Sequence, residues 1–162
     1  MKYQTSKFCI QGGSILLPDG GIQETDILIS DGKIDAIGSS PNKTVKKLNA
    51  SGYMVLPGIV DLHGDAFERQ IMPRPGVSFP LTLAFLDTDR QLVANGITTA
   101  YHGITYSWEP GLRGRETVTK VMTALKNVSK RLGADTKCHL RFETFNFAAG
   151  DEVLNWILDR NI

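Results

Sequence analysis

The chain has 162 residues, of which 41% are hydrophobic and 22% are charged, as in an ordinary soluble globular protein. Its formal net charge of +1 gives no reason to expect nucleic acid or an anionic membrane as a partner. The first residues lack the long apolar region of a signal peptide, and no apolar run is long enough to cross a bilayer, so we expect a cytoplasmic protein.

Cys9 and Cys138 are the two cysteines of the sequence, and they lie far apart. This spacing argues against a disulfide scaffold and against a thiolate metal site. We expect both side chains to be buried and reduced.

The first third of the chain consists of short apolar stretches separated by turn residues. The strand candidates are residues 8–10, 14–17, 25–29 and 34–37, with glycine-rich turns between them. Strands at this spacing predict a small sandwich or meander. A structural β-module without chemistry is the simplest interpretation of residues 1–56.

From Met54 onward, strand and helix patterns alternate. An apolar strand at 53–62 is interrupted by Pro57-Gly58, and a helix at 83–95 precedes a strand at 97–102. A helix at 115–132, a strand at 138–145 and the start of a helix at 152–158 follow. Repeated βα units predict an α/β fold with a parallel sheet, either doubly wound or a barrel. A closed eight-stranded barrel needs about 250 residues, so we expect residues 57–162 to hold only about three units of a truncated barrel.

His63 and Asp65 lie two residues apart at the carboxyl end of a predicted strand, so both side chains can face the same side. An imidazole and a carboxylate in this arrangement can bind a divalent cation such as zinc, manganese or iron. The spacing alone is more typical of an ordinary hydrogen-bonded pair.

Several segments in order give this pair its context. A hairpin with Asp31-Gly32-Lys33-Ile34 is followed by Leu56-Pro57-Gly58-Ile59-Val60-Asp61-Leu62-His63, and this combination resembles the entry of the amidohydrolase superfamily. The usual His-x-His motif of that superfamily has Asp65 at its third position here. Together with Pro73-Arg74-Pro75, this departure is similar to one branch, the alpha-D-ribose 1-methylphosphonate 5-triphosphate diphosphatases of phosphonate metabolism. Residues 95–99 and 139–143 also match strand motifs of that branch.

The resemblance implies a small β-sandwich followed by a TIM-like metallohydrolase barrel. It implies a divalent metal, zinc before manganese or iron, with His63, Asp65 and Glu143 as ligands. A surface carboxylate paired with Arg141 is the structural alternative for Glu143. The expected substrate-binding residues are Arg74, whose planar guanidinium can bind two phosphate oxygens, with Glu68, Arg69 and His102 as further candidates. We expect His139 to be a buried core histidine.

The implied reaction converts ribose 1-methylphosphonate 5-triphosphate, a small phosphorylated sugar, into the 5-phosphate and pyrophosphate. In the superfamily, later strands supply two further histidines and a catalytic aspartate, so we expect this chain alone to be an inactive fragment. Two alternatives stay open: a hydrolase of a cyclic amide or N-acyl substrate, and a non-catalytic assembly module whose open sheet edges pair with another copy. The sequence does not decide whether the protein is a homo-oligomer.

Overall fold

The computed structural model describes residues 7–39 and 44–159, and the chain divides into two compact units, Met1–Pro57 and Gly58–Ile162. The N-terminal stretch that bears on the signal peptide includes residues 1–6, which lie outside the described residues. Within the described ranges, no helix has both the length and the apolar character needed to span a membrane.

The first unit is one sheet with the strand order β3-β2-β1-β4, in which β5 also pairs with β1. The strands are β1 (Phe8–Leu16), β2 (Ile22–Ser30), β3 (Lys33–Ile37), β4 (Lys46–Asn49) and β5 (Met54–Val55). The first three strands are antiparallel neighbours, whereas β4 and β5 run parallel to β1. The buried apolar residues of this unit are Cys9, Ile15, Ile27 and Ala50.

Glycines shape two points of this sheet. The sequence predicts separate strands at 8–10 and 14–17, but the structure has one strand, β1, whose register with β2 shifts between Ile10 and Gly13. Gly12 has a φ of +71° there, and its N–H donates to Asp26 Oδ1 at 3.0 Å. The glycine pair therefore bulges one strand instead of separating two. At the β2–β3 turn, Asp31 and Gly32 both have positive φ, which confirms the predicted tight hairpin.

The second unit is a three-stranded sheet, β6-β7-β8, with all neighbours parallel, as predicted for βα units. Its elements in order are β6 (Ile59–Gly64), α1 (Ala66–Ile71), α2 (Leu81–Ala94), β7 (Ile97–Tyr106), α3 (Arg115–Val128), β8 (Asp135–Phe142) and α4 (Gly150–Leu158). The predicted strand at 53–62 is thus divided between the units, and α1, only six residues long, is absent from the prediction. The α/β class is confirmed, and closure into a barrel stays a prediction.

The core of the second unit lies between this sheet and its helices. On α3, Val118, Val121, Leu125 and Val128 recur at helical spacing and are buried. They pack in one cluster with Phe85 and Ile104, and half-buried Leu140 lies against it. The sheet therefore buries one face under helices.

The cysteines differ in their surroundings. Cys9 is fully buried, as expected, whereas Cys138 is only half-buried, and both are free thiols. Burial raises the pKa of the Cys138 thiol to about 12. The expectation of a buried side chain is therefore wrong for Cys138, which packs against the core but lies on β8, the last strand of the three-stranded sheet.

Asp89 of α2 holds the chain where it enters β8. Its buried carboxylate accepts N–H bonds from Gly133 and Ala134 at distances of 2.9 to 3.0 Å. Two backbone donors that would otherwise be unsatisfied are thereby paired. The amino end of β8 is fixed to a neighbouring helix, at the sheet edge opposite to the candidate site.

Candidate metal centre

The carboxyl ends of β6, β7 and β8 lie at the same edge of the sheet, because the three strands are parallel. His63 and Asp65 come from the end of β6, Ser107 from the end of β7, and Glu143 from the end of β8. In α/β proteins, this is the edge at which active sites form.

His63 is exposed at an irregular end of β6. Its backbone N–H donates to Asp61 Oδ1 at 3.0 Å, and the pairing of β6 with β7 shifts between Asp61 and Gly64. Such irregularities re-aim a side chain at a strand end. The His63 ring lies against Gly103 of β7, where an added Cβ would come within 2.9 Å of the ring carbon Cε1. The imidazole therefore occupies the space that a side chain at position 103 would need.

His139 is exposed on β8, so the expectation of a core histidine is wrong. The centroids of its ring and the His63 ring are 4.8 Å apart, with the ring planes at 79°. Its Nδ1 lies 2.9 Å from the carbonyl oxygen of Leu62. A carbonyl only accepts, so Nδ1 carries the proton in this bond and the neutral ring keeps a lone pair on Nε2.

His102 points to the other face of the sheet and is buried, so it does not face the site as one interpretation of the sequence had it. Its ring contacts Phe67 and Phe85, with centroid distances of 5.3 and 5.5 Å. Burial lowers the pKa of His102 to about 4, against the opposing effect of the Asp61 and Asp89 carboxylates. This histidine is a neutral part of the core at ordinary pH, because strand alternation places it with Ile104 on the helix-covered face.

Glu143 is tied to the end of β7. Its Oε2 accepts a hydrogen bond from the Ser107 hydroxyl at 2.8 Å, and its N–H donates to the Tyr106 carbonyl at 3.2 Å. The Ser107 hydroxyl also accepts the N–H of Glu109 at 3.1 Å. No ion pair joins Glu143 to Arg141, both of which the structure describes. Ser107, which no sequence motif indicated, thus positions the carboxylate.

Asp65 is exposed and directly precedes α1 without capping it through its side chain. Among residues 7–39 and 44–159, no three His, Cys, Asp or Glu side chains converge in a group that could hold a metal ion. Asp65 and Glu143 are therefore not assembled with His63 into one set of ligands here. The donor chemistry at the edge, two exposed imidazoles and two carboxylates, nevertheless suits a divalent cation such as zinc.

The loop after α1 presents Arg74. Arg74, Pro75, Gly76 and Val77 form a tight turn, with the Val77 N–H donating to the Arg74 carbonyl at 3.0 Å and Gly76 at a φ of +76°. The Arg74 side chain is exposed and has no ion pair within the described part of the chain.

The other two loop candidates differ from each other. Glu68 forms an ion pair with Arg113 at 3.2 Å. No ion pair joins Glu68 to Arg69, both of which the structure describes. Arg69 lies in the last turn of α1 with its side chain exposed.

Similar proteins agree with the sequence motifs. An alpha-D-ribose 1-methylphosphonate 5-triphosphate diphosphatase from Escherichia coli is 30% identical over 118 residues, covering 71% of this chain and 31% of that protein. An allantoinase from Bacillus licheniformis is 27% identical over 146 residues, covering 90% of this chain and 30% of that protein. The chain spans about a third of the length of these curated relatives. No family model matches the chain.

Solved structures share the fold. The crystal structure of an amidohydrolase from an environmental sample of the Sargasso Sea superposes with a TM-score of 0.57 at 17% identity, over 83% of this chain and 34% of that one. At this identity the likeness is evidence for the fold alone. The ordered motifs and the two curated relatives show that the chain belongs to the amidohydrolase superfamily.

Proposed function

We propose that this chain carries part of the active site of a metal-dependent hydrolase that cleaves ribose 1-methylphosphonate 5-triphosphate into the 5-phosphate and pyrophosphate. The remaining ligands and the catalytic aspartate would come from barrel strands beyond β8. The substrate class, the metal and the barrel are all part of this proposal.

The proposal of a phosphate substrate rests on Arg74, whose charge is exposed and, within the described part of the chain, unpaired. Its guanidinium is exposed on a turn fixed by Pro75 and Gly76 and is not neutralised by an ion pair among the described residues. The turn restrains the Arg74 backbone, and its planar guanidinium can bind two phosphate oxygens. The similarity to the Escherichia coli diphosphatase supports the same substrate class.

The residues that would hold the metal are His63 of β6, Asp65 directly after β6 and Glu143 directly after β8. When bound, such an ion supplies an activated water and stabilises charge on the phosphate. The contribution of this chain is positional: Asp61 fixes the His63 backbone and Ser107 fixes the Glu143 carboxylate.

A hydrolase of a cyclic amide is the second candidate, and the similarity to an allantoinase over 90% of the chain favours it. The two candidates differ in what Arg74 does, because a neutral amide has no phosphate for a guanidinium to bind.

The test compares both reactions in the purified, zinc-loaded protein that contains this chain, by measuring pyrophosphate release and allantoin hydrolysis. We expect pyrophosphate release, and we expect Arg74→Ala to lower its kcat/KM by about tenfold or more, since a charge-assisted contact is lost. The matched control is Arg90→Ala, on the exposed side of α2, which should leave the rate unchanged. Turnover of allantoin without pyrophosphate release would establish the second candidate instead.

A further inference from the structure

His139 and His63 belong to strands that do not touch, since β7 lies between β6 and β8. Strands two places apart in a sheet are separated by roughly 9 to 10 Å, twice the interstrand spacing. The two rings nevertheless meet, with centroids 4.8 Å apart. Both imidazoles must therefore lean over the middle strand.

Gly103 makes this meeting possible. It is the direct neighbour of His139 in the β7–β8 register, and the His63 ring occupies the space where its side chain would be. Cβ-to-ring distances of 2.9 to 3.3 Å show that even alanine would compete with the His63 ring. The two imidazoles thus share a gap in the side-chain layer of β7.

The hydrogen bond from His139 to the Leu62 carbonyl fixes both the ring orientation and the tautomer. With Nδ1 protonated, Nε2 carries the lone pair that a metal ion requires. Histidine ligands in proteins typically donate their other ring N–H to a carbonyl or carboxylate in this way. The acceptor precedes His63 in the chain, so one short stretch of β6 presents one imidazole and orients the other.

Packing alone is a weak reason for this arrangement. Both histidines are exposed, and an exposed ring pair removes little apolar surface from water. The other large side chains near Gly103 on β7, His102 and Ile104, are buried on the opposite face. Gly103 itself is buried beneath the His63 ring, so the gap holds an imidazole and leaves the core on the opposite face unaffected.

We propose that His139 is a second imidazole ligand of the divalent cation that His63 binds. This inference rests on the proposed metal-dependent function and adds a ligand from β8 to it. Two imidazoles suit zinc and other borderline cations, and they leave the remaining coordination positions to carboxylates or water.

The test measures zinc binding to the purified protein that contains this chain, by competition with a chromogenic chelator. We expect His139→Gln and His63→Gln each to weaken zinc binding by at least about tenfold. The matched control is Arg141→Gln, two residues further along the same exposed strand face, which should bind zinc as the parent does.

A second readout needs no variant and so does not depend on variants folding. In nitrogen-15 NMR of the unmodified protein, zinc should shift the Nε2 resonance of His139 while Nδ1 stays protonated. Zinc binding that depends on His63 but not on His139, with no shift at His139, would overturn this inference and leave the proposed function standing. Absence of zinc binding in the parent protein, with all its strands present, would overturn both.

Discussion

The buried His102 makes the stability of the second unit depend on pH. In the fold its pKa is about 4, because burial among Phe67 and Phe85 disfavours the charged ring. In the unfolded chain the pKa returns to about 6.5. Below that pH the unfolded state binds a proton that the folded state does not bind, so the free energy of unfolding falls as the pH falls.

The size of the effect follows from the two pKa values. Proton linkage gives a loss of about 2 kcal/mol between pH ~7 and pH ~5, which grows to about 3 kcal/mol by pH ~4. Above pH ~7 the effect vanishes, because both states are then neutral. The change to make is His102→Leu, which removes the titrating group and keeps an apolar side chain in the core.

Urea unfolding at pH ~7 and pH ~5 measures this effect for the parent and the variant. The stability difference between the two proteins should shift by about 2 kcal/mol in favour of the variant at the lower pH. Carboxylates that titrate in both proteins cancel in this comparison. Ile104→Val, two residues away in the same core, should differ from the parent by an amount that does not change with pH. If the difference in free energy of unfolding between His102→Leu and the parent were the same at both pH values, His102 would not be a buried neutral histidine.

Three further outcomes are expected. Gly103→Ala should displace the His63 ring and abolish its NMR contact with the His139 ring. It should lower the free energy of unfolding by under about 1 kcal/mol, because an exposed ring can move aside. The control Gly150→Ala, whose Cβ meets open space, should leave that contact intact. Asp89→Ala should lower the free energy of unfolding by about 2 kcal/mol, since two amides before β8 lose their acceptor. A loss under about 0.5 kcal/mol would show that these hydrogen bonds do not stabilise the fold. Alkylation of Cys138 at pH ~8, followed by peptide mapping, should be at least about 100-fold slower in the native protein than in urea. The raised pKa leaves little thiolate, the reactive form, in the folded protein. Equal rates in the two states would exclude the raised pKa.

Strand periodicity predicts more of the site than the separate motifs do. Alternate residues of a strand share a face, so placing Glu143 in the site requires His139, four residues earlier, to lie on the same face. The two expectations for these residues were therefore incompatible, and the structure shows both side chains exposed. By the same rule, His102 belongs with Ala100 and Ile104, which are buried.

Other features of the site have no signal in a single sequence. The meeting of His63 and His139 depends on the register of three strands, and an isolated glycine such as Gly103 is more often a sign of a turn or bulge. The division between the units was predictable only in part. Pro57-Gly58 marked the break in the apolar stretch, but pairing with different partners is what assigns β5 and β6 to separate sheets.

The acceptor that orients His139 is the carbonyl of Leu62, a group that every residue type supplies. Leu62 can therefore change identity without losing this interaction, provided that β6 keeps its path. Related sequences could vary freely at this position, so neither residue covariation nor alanine scanning would reveal it. Replacing the peptide bond between residues 62 and 63 by an ester would weaken the interaction, because an ester carbonyl is a weaker acceptor, and it would also remove the His63 N–H that donates to Asp61 Oδ1.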